Sequence, residues 1–166
     1  MIRKPSIKPA WFVLNTGENG GKNLKEIPDF WQAYLTDGRM EKLHGELFLA
    51  GHAEYGVCLP ENPEDGEFEY VIGVEVKDGH SIPGDYHACT IPGALYAVFP
   101  TPPADASNFP PTILGTWKYI FSEWFPNSGY EFDDNGLEFE FYDEHCMNEI
   151  GNVCDIYIPV VERQPE

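Results

Sequence analysis

The sequence is poor in basic residues. It holds 10 Lys and Arg against 28 Asp and Glu among 166 residues, which gives a net charge of −18. Binding to phosphate groups needs clustered Lys and Arg, and no basic run is present. This composition argues against direct binding to nucleic acid or to an anionic membrane, and it favours cationic partners. Most of the acidic charge is expected to serve solubility.

Long apolar runs are also missing from the sequence. No stretch approaches the roughly 20 apolar residues that span a bilayer. The segment Met1–Pro5 is followed by no apolar stretch of the kind found in secretion signals. The sequence therefore predicts a cytoplasmic protein with no membrane partner.

Cysteines are few, and their spacing matches no common zinc pattern. Cys58, Cys89, Cys146 and Cys154 include no C-x-x-C pair, and His145 adds no recognisable set of metal ligands. We expect reduced thiols and no bound metal. Phosphate-binding glycine loops and hydrolase or metalloprotease motifs are absent as well, so no cofactor is predicted.

Aromatic residues, at 14%, are abundant, and the hydrophobic fraction of 42% is enough for a packed domain. Periodicity and turn residues indicate two helices, several strands and a Pro-rich loop at 100–111. The predicted helices span 24–43 and 112–125, and the predicted strands span 10–15, 54–59, 67–76, 137–142 and 155–161, with one or two more inside 86–99.

The order strand, helix, strand, strand occurs twice along the chain. Residues 10–14 resemble 94–98 at an offset of 84, and 70–76 resemble 156–162 at an offset of 86. Trp31 and Trp117, and likewise Glu54 and Glu140, are also 86 apart. We predict an α+β fold of two pseudo-symmetric repeats, about 8–80 and 86–163, forming one domain over 1–166 with a central ligand groove.

The stretch "GLEFEFYDE" at 136–144 alternates acidic and aromatic residues, as a strand with two different faces does. The apolar face would pack on a core, and the acidic face would meet either water or a ligand. Within the acidic set, Glu138 lies near the strand start and is expected to be exposed. The acidic face comprises Glu138, Glu140 and Tyr142, and the apolar face comprises Leu137, Phe139 and Phe141.

Four segments together resemble the GyrI-like family, the small-molecule-binding domains of AraC-type and MerR-type multidrug regulators. They are Ile91–Phe99, Thr116–Phe132, Leu137–Glu144 and Asp155–Val160. The resemblance implies two repeats around a central pocket in which a buried Glu and aromatic rings bind lipophilic cations. It places that Glu at residue 140. Because no helix-turn-helix is recognisable, we expect a standalone domain that does not bind DNA itself.

The candidate site combines one carboxylate with aromatic walls. Each aromatic face attracts a cation by about 0.5–2 kcal/mol, depending on desolvation. Trp31 and Trp117 occupy equivalent repeat positions, and we expect Phe121 to belong to the core. The predicted ligand-binding residues are Glu140, Tyr142, Trp117, Trp31, Tyr70, Trp11 and Trp124.

Three functions are consistent with this pattern. The first is binding of a small, lipophilic, cationic or aromatic compound, in sensing or sequestration of a drug or toxin. The second, implied by some members of the family, is hydrolysis of a cyclopropane-type electrophile, with Glu140 as general base and Tyr142 assisting. The third is an acidic or gyrase-inhibitor-like module that engages a protein partner.

Overall fold

The computed structural model describes residues 1–7, 9–47, 49–84, 86–88, 90–148 and 151–165. The chain forms two compact units. The N-terminal unit is Ile7–Thr90, and the C-terminal unit combines Met1–Ser6 with Ile91–Glu166. Across the described ranges, no helix has the length and apolar character needed to cross a membrane.

The N-terminal unit contains an antiparallel sheet with strand order β3-β4-β2-β5. Alternate residues of β4 pack with the helices around the buried rings of Phe30 and Tyr34. Its elements are β2 (Pro9–Gly17), a 3-10 turn (Asn19–Gly21), α1 (Lys22–Thr36), α2 (Arg39–Glu46), β3 (Leu49–Cys58), β4 (Glu67–Val76) and β5 (His87–Ala88).

The C-terminal unit has an antiparallel sheet with strand order β1-β6-β11-β8, and β7 pairs with the end of β11. Strands β9 and β10 pair separately. Its elements are β1 (Ile2–Lys4), β6 (Ala94–Pro100), α3 (Phe109–Tyr119), a π-helical turn (Ile120–Trp124), α4 (Phe125–Asn127), β7 (Tyr130–Phe132), β8 (Phe139–Tyr142), a 3-10 turn (Glu144–Cys146), β9 (Met147–Asn148), β10 (Gly151–Asn152) and β11 (Asp155–Glu162).

The two units repeat one topology. In each, the last long strand, β4 or β11, pairs on one side with the strand before the helix and on the other with the strand after it. The apolar positions of β4 and β11 alternate in the same way, which is the period that a half-covered strand requires. The predicted α+β class and the repeated strand, helix, strand, strand order are therefore confirmed. The assignment to a single domain stays a prediction.

The first predicted helix is in fact two helices. The span 24–43 breaks after Thr36, where Gly38 has a φ of 91°, a left-handed conformation that favours glycine. Pro28 does not set the start, because α1 begins at Lys22 and holds Pro28 inside. The lack of an amide proton at Pro28 removes one helical hydrogen bond without ending the helix.

The second predicted helix, 112–125, begins earlier, at Phe109, and changes character before its end. Residues Ile120–Trp124 form a π-helical turn, after which the short α4 ends at Asn127. Such turns are rare and occur often at functional sites. Here the turn directly follows the helix that carries Trp117.

One edge strand was not predicted. Ile2–Lys4 forms β1, which pairs with β6 and so joins the chain start to the C-terminal unit. Among the described residues of the predicted strand region 86–99, the strands are His87–Ala88 and the residues from Ala94 onward.

The strand registers correct the alignment of the repeats. Glu54 lies opposite Val74, whereas Glu140 lies opposite Ile156. If residues 70–76 match 156–162, Glu54 and Glu140 lie opposite different positions of these two strands and cannot be equivalent. The two predicted matches therefore cannot both be correct. A common offset of 84 satisfies both registers, and it matches Gly56, opposite Ile72, with Glu140.

The first strands also match differently. Ala10 and Phe12 of β2 face the helices, as do Leu95 and Ala97 of β6. The offset between these strands must therefore be odd, and the predicted value of 84 is wrong. An even offset would match opposite faces of the two strands, because side chains alternate along a strand.

Candidate ligand-binding site

The centre of the candidate site is Glu140, on the face of β8 that meets α3. The Trp117 indole Nε1 donates a hydrogen bond of 3.0 Å to Glu140 Oε1. The Tyr142 hydroxyl donates to the other carboxylate oxygen, Oε2. The predicted residues Glu140, Tyr142 and Trp117 are therefore brought together. The acidic face of β8 meets the indole of Trp117 in addition to whatever solvent or ligand reaches it.

Burial raises the pKa of the Glu140 carboxyl above its ordinary value. Desolvation is the main cause, and the hydrogen bonds from Tyr142 and Trp117 oppose it. Glu140 as a whole keeps some solvent exposure, but its carboxylate is enclosed by protein atoms. No Lys or Arg forms an ion pair with Glu140 in the described ranges. The carboxylate therefore favours either a proton or a bound cation.

Glu138, predicted to be exposed, is half-buried. Burial, together with the negative charge of Glu140, raises the pKa of Glu138 to about 7. Strand parity placed the two carboxyls on one face but carried no information on the protein atoms that cover them. The site therefore holds two carboxyls whose protonation responds to each other.

This raised pKa gives a pH-dependent stability. The folded protein binds a proton at Glu138 more tightly than the unfolded chain, whose carboxyl titrates near its ordinary value of 4.5. This contribution is fully present below that value and is lost as the pH rises through about 7. We expect the free energy of unfolding of the wild type, relative to Glu138→Gln, to fall across this range. Urea unfolding of both proteins between pH 5 and about pH 8 measures the difference, and a constant difference would contradict the prediction.

Tyr142 connects the carboxylate to the core of the C-terminal unit. Its ring lies 6.4 Å from that of Phe109, at the start of α3. Cys154, fully buried and directly before the neighbouring β11, hydrogen-bonds with Tyr142 and lies close enough to Glu140 to interact with its charge. Burial raises the pKa of the Cys154 thiol, so this sulfur is a packing group and not a reactive thiolate.

Trp117 connects the carboxylate to the outside of α3. Its ring lies parallel to that of Phe121, with centroids 6.3 Å apart. Phe121 was predicted to be core, but it is 47% exposed. The turn that contains Phe121 is π-helical, which changes the direction of its side chain relative to a regular helix. One edge of the Trp117–Phe121 pair is therefore open to solvent.

The opposite face of β8 is lined by aromatic rings, and the ammonium group of Lys4 lies against them. Phe139 stacks on Tyr157 with ring centroids 4.7 Å apart. The Lys4 ammonium lies 4.9 Å from the Tyr157 centroid and 5.5 Å from that of Phe141. This arrangement is typical of cation–π contacts.

Trp124 lies in a different aromatic group of the same unit. It makes an edge-to-face contact with Phe99 at 4.9 Å and lies parallel to Tyr130 at 6.2 Å. These partners pack it into the core of the C-terminal unit. Its predicted role as a wall for ligand stays a prediction.

In the N-terminal unit, Trp31 and Tyr70 form the counterpart of the Trp117–Glu140 contact. The Trp31 indole donates a 2.8 Å hydrogen bond to the Tyr70 hydroxyl. That hydroxyl fills the space beside Gly56, where an added Cβ would lie 2.3 Å from it. Because Gly56 matches Glu140 in register, this unit has a tyrosine hydroxyl where the other has a carboxylate. Glu54 is therefore not the counterpart of Glu140.

Trp11, the remaining candidate, is 1% exposed and lies on the face of the N-terminal sheet that points away from α1. Gly73 on β4 leaves room for it, since an added Cβ there would come within 2.6 Å of Trp11 Cβ. Its predicted role, like those of Trp31 and Tyr70, stays a prediction.

The described cysteines lie at positions 58, 146 and 154, and no disulfide joins them to one another, while Cys89 lies outside the described residues. Burial raises the pKa of Cys146 to about 11. In the described part of the chain, no group of three or more His, Cys, Asp or Glu side chains is arranged to hold a metal ion.

The chain belongs to the Cass2 family of integron-associated effector-binding proteins, which it matches over residues 2–160. This agrees with the resemblance to GyrI-like effector-binding domains. The transcriptional regulator BrlR of Pseudomonas aeruginosa is 28% identical over 155 residues, covering 92% of this chain and 53% of BrlR. The chain thus spans about half the length of this curated relative.

Solved structures share the fold. SAV2435 bound to tetraphenylphosphonium superimposes with a TM-score of 0.74 at 21% identity, covering 96% of this chain and 92% of SAV2435. An integron cassette protein from the mobile metagenome of Vibrio cholerae gives a TM-score of 0.57 at 14% identity, with 96% and 94% covered. These likenesses concern the fold, while the family match over residues 2–160 makes the protein an effector-binding domain and BrlR relates it to transcription regulators.

Proposed function

We propose that this protein binds a lipophilic organic cation in its C-terminal unit, with the carboxylate of Glu140 as the counter-charge. The observation that carries this proposal is the Glu140 carboxylate, held by Trp117 and Tyr142 and joined to no basic side chain in the described ranges. A desolvated carboxylate beside aromatic rings gains more from a cation than from a neutral compound.

The relatives support the same class of ligand. SAV2435 was solved with tetraphenylphosphonium, a lipophilic cation, and the family is one of effector-binding proteins. Binding here would serve sensing or sequestration of a drug or toxin. The aromatic residues Trp31, Tyr70, Trp11 and Trp124 are further wall candidates in this proposal.

The test compares two ions of nearly the same size and shape but opposite charge. We expect tetraphenylphosphonium to quench tryptophan fluorescence saturably and tetraphenylborate to bind far more weakly, because the desolvated carboxylate attracts only the cation. Isothermal titration calorimetry of both ions, at matched ionic strength, measures the ratio. Equal binding of the two ions would show that the site selects by hydrophobicity alone and would overturn the role of Glu140.

A hydrolytic activity is the second candidate, and the raised pKa of Glu138 favours it. A carboxyl that titrates near 7 beside a second carboxyl is suited to general acid–base catalysis. Product analysis after incubation with strained cyclopropane electrophiles tests this. In that case Glu140→Gln and Glu138→Gln should each lower turnover, whereas a binding protein returns every compound unchanged.

A further inference from the structure

The face of β8 that points away from α3 carries aromatic rings around a lysine. Phe139 lies directly across from Tyr157 of β11, and Phe141 is on the same face because side chains alternate along a strand. The Lys4 ammonium lies 5.9 Å from the Phe139 centroid, 5.5 Å from that of Phe141 and 4.9 Å from that of Tyr157. One ammonium therefore faces three rings, which together form an aromatic cage.

The rings of the aromatic cage stand at two different angles. The planes of Phe139 and Tyr157 are nearly parallel, with 11° between them. Phe141 stands at 65° to Tyr157, and the centroids of these two rings are 5.8 Å apart. Rings that surround one cation are typical of sites for quaternary ammonium groups, because the negative faces of the rings attract the positive charge.

Burial and acidic groups strengthen the attraction of the aromatic cage for a cation. Phe139 and Tyr157 are 1% and 8% exposed, so little water competes for their surfaces. Burial raises the pKa of the Tyr157 hydroxyl, and the negative charges of Asp155 and Asp143 raise it further. Asp155 lies directly across from Phe141 in the strand ladder. Both carboxylates therefore favour any cation that occupies the cage.

The lysine in the aromatic cage belongs to a short edge strand. Strand β1 has three residues and pairs with β6 at the edge of the sheet. Ile2 of this strand is 46% exposed, so its burial adds little to the attachment of β1. The primary ammonium of a lysine is strongly hydrated, whereas a methylated ammonium loses less hydration on entering an aromatic site. A methylated ammonium ion is therefore able to compete with Lys4 for the rings.

We propose that the aromatic cage is a second binding site, for small organic ammonium ions of the trimethylammonium class, in which Lys4 is a tethered competitor. The ligand enters as the Lys4 side chain leaves the rings for solvent, and no covalent bond changes. The site is separate from that of Glu140, whose side chain meets Trp117 on the other face of β8. It holds one ammonium group, so the inference does not depend on the proposed binding of a large lipophilic cation.

The experiment removes the tethered competitor. In Lys4→Ala the rings remain and the ammonium is gone, so choline should bind about tenfold or more tightly than to the wild type. The uncharged analogue of choline, in which carbon replaces the quaternary nitrogen, should bind about tenfold or more weakly than choline. Chemical-shift titration by NMR, at matched ionic strength, measures such weak affinities. Absence of choline binding by Lys4→Ala, or equal affinity for the two compounds, would overturn the proposal.

Further variants make the result specific. Arg3→Ala is the matched control, because Arg3 is exposed on β1, lies on its other face and carries the same charge. Its affinity for choline should equal that of the wild type, and a gain like that of Lys4→Ala would overturn the proposal. Phe141→Leu in the Lys4→Ala background should weaken choline binding, since one ring is lost. Lys4→Gln keeps most of the side chain without its charge and should also gain affinity, so the test does not depend on the folding of one variant.

Discussion

The Glu140→Gln variant is expected to bind tetraphenylphosphonium more than tenfold more weakly than the wild type and, without ligand, to unfold less readily. The loss of binding follows from removing the buried charge that faces the cation, a change of roughly 2–5 kcal/mol for a desolvated charge pair. The gain in stability follows from the raised pKa of Glu140, since an ionised carboxylate there is desolvated.

The size of the gain should be roughly 0.5–2 kcal/mol, the usual range for a stabilising substitution at a position kept for function. Glutamine keeps both hydrogen bonds, because its carbonyl accepts from Trp117 and its amide donates to the Tyr142 oxygen. Urea unfolding at pH 7.5 measures the stability, and calorimetric titration measures the affinity. A variant that is more stable but binds the cation more weakly identifies Glu140 as a binding carboxylate, whereas a loss of stability identifies it as a structural one.

Glu131→Gln is the matched control for this variant. Glu131 lies exposed on β7 of the same unit, so Glu131→Gln alters the net charge of the protein by the same amount as Glu140→Gln. Its effect on affinity should be small and should vanish with added salt, because exposed charges are screened. If both variants weaken binding equally, the cation is attracted by the overall acidity. If Glu140→Gln is less stable than the wild type, the carboxylate is part of the fold.

The fold was predictable wherever the signal is local. The alternation in β8 and the apolar run in β4 each fix a strand from consecutive residues, and both are present. Strand β1 was missed because three residues, Ile2–Lys4, carry too short a pattern. Its existence depends on pairing with Tyr96 and its neighbours, almost a hundred positions away.

The candidate site was predictable in its residue types but only partly in its environment. Strand parity and the family resemblance brought Glu140, Tyr142 and Trp117 together, and the hydrogen bonds agree. Parity does not tell which protein atoms cover a face, so Glu138 was expected to be exposed and is half-buried. Helical periodicity likewise assumed a regular helix at Phe121, where the chain forms a π-helical turn.

The contact between His44 and His52 in the N-terminal unit is a further feature that the sequence does not predict. His44 lies in the last turn of α2 and His52 lies in the irregular part of β3, and their Nδ1 atoms come within 3.3 Å of each other. A tertiary contact of this kind leaves no spacing rule in a single sequence.

The divergence of the two repeats predicts a large effect at Gly56, the position that matches Glu140. An added Cβ would lie 2.3 Å from the Tyr70 hydroxyl and 3.1 Å from a ring carbon of Trp31. Tyr70 is 1% exposed, so its ring has little room to move. We expect Gly56→Ala to lower the free energy of unfolding by about 2–3 kcal/mol through overpacking and loss of the hydrogen bond from Trp31. Urea unfolding at pH 7.5 measures the change.

Two further variants test whether the effect of Gly56→Ala comes from its contact with Tyr70. Gly51→Ala, also on β3, places its Cβ in open space, with no atom within 4 Å, and should change stability little. In a Tyr70→Phe background the hydroxyl is gone and the nearest remaining ring carbons lie 3.1–3.2 Å away, so Gly56→Ala should be less harmful there than in the wild type. The double-mutant cycle then gives a coupling energy of about 1 kcal/mol or more, because the two residues are in contact. Simple additivity would mean that the strain comes from the backbone of β3 and not from the tyrosine that occupies the place of the carboxylate.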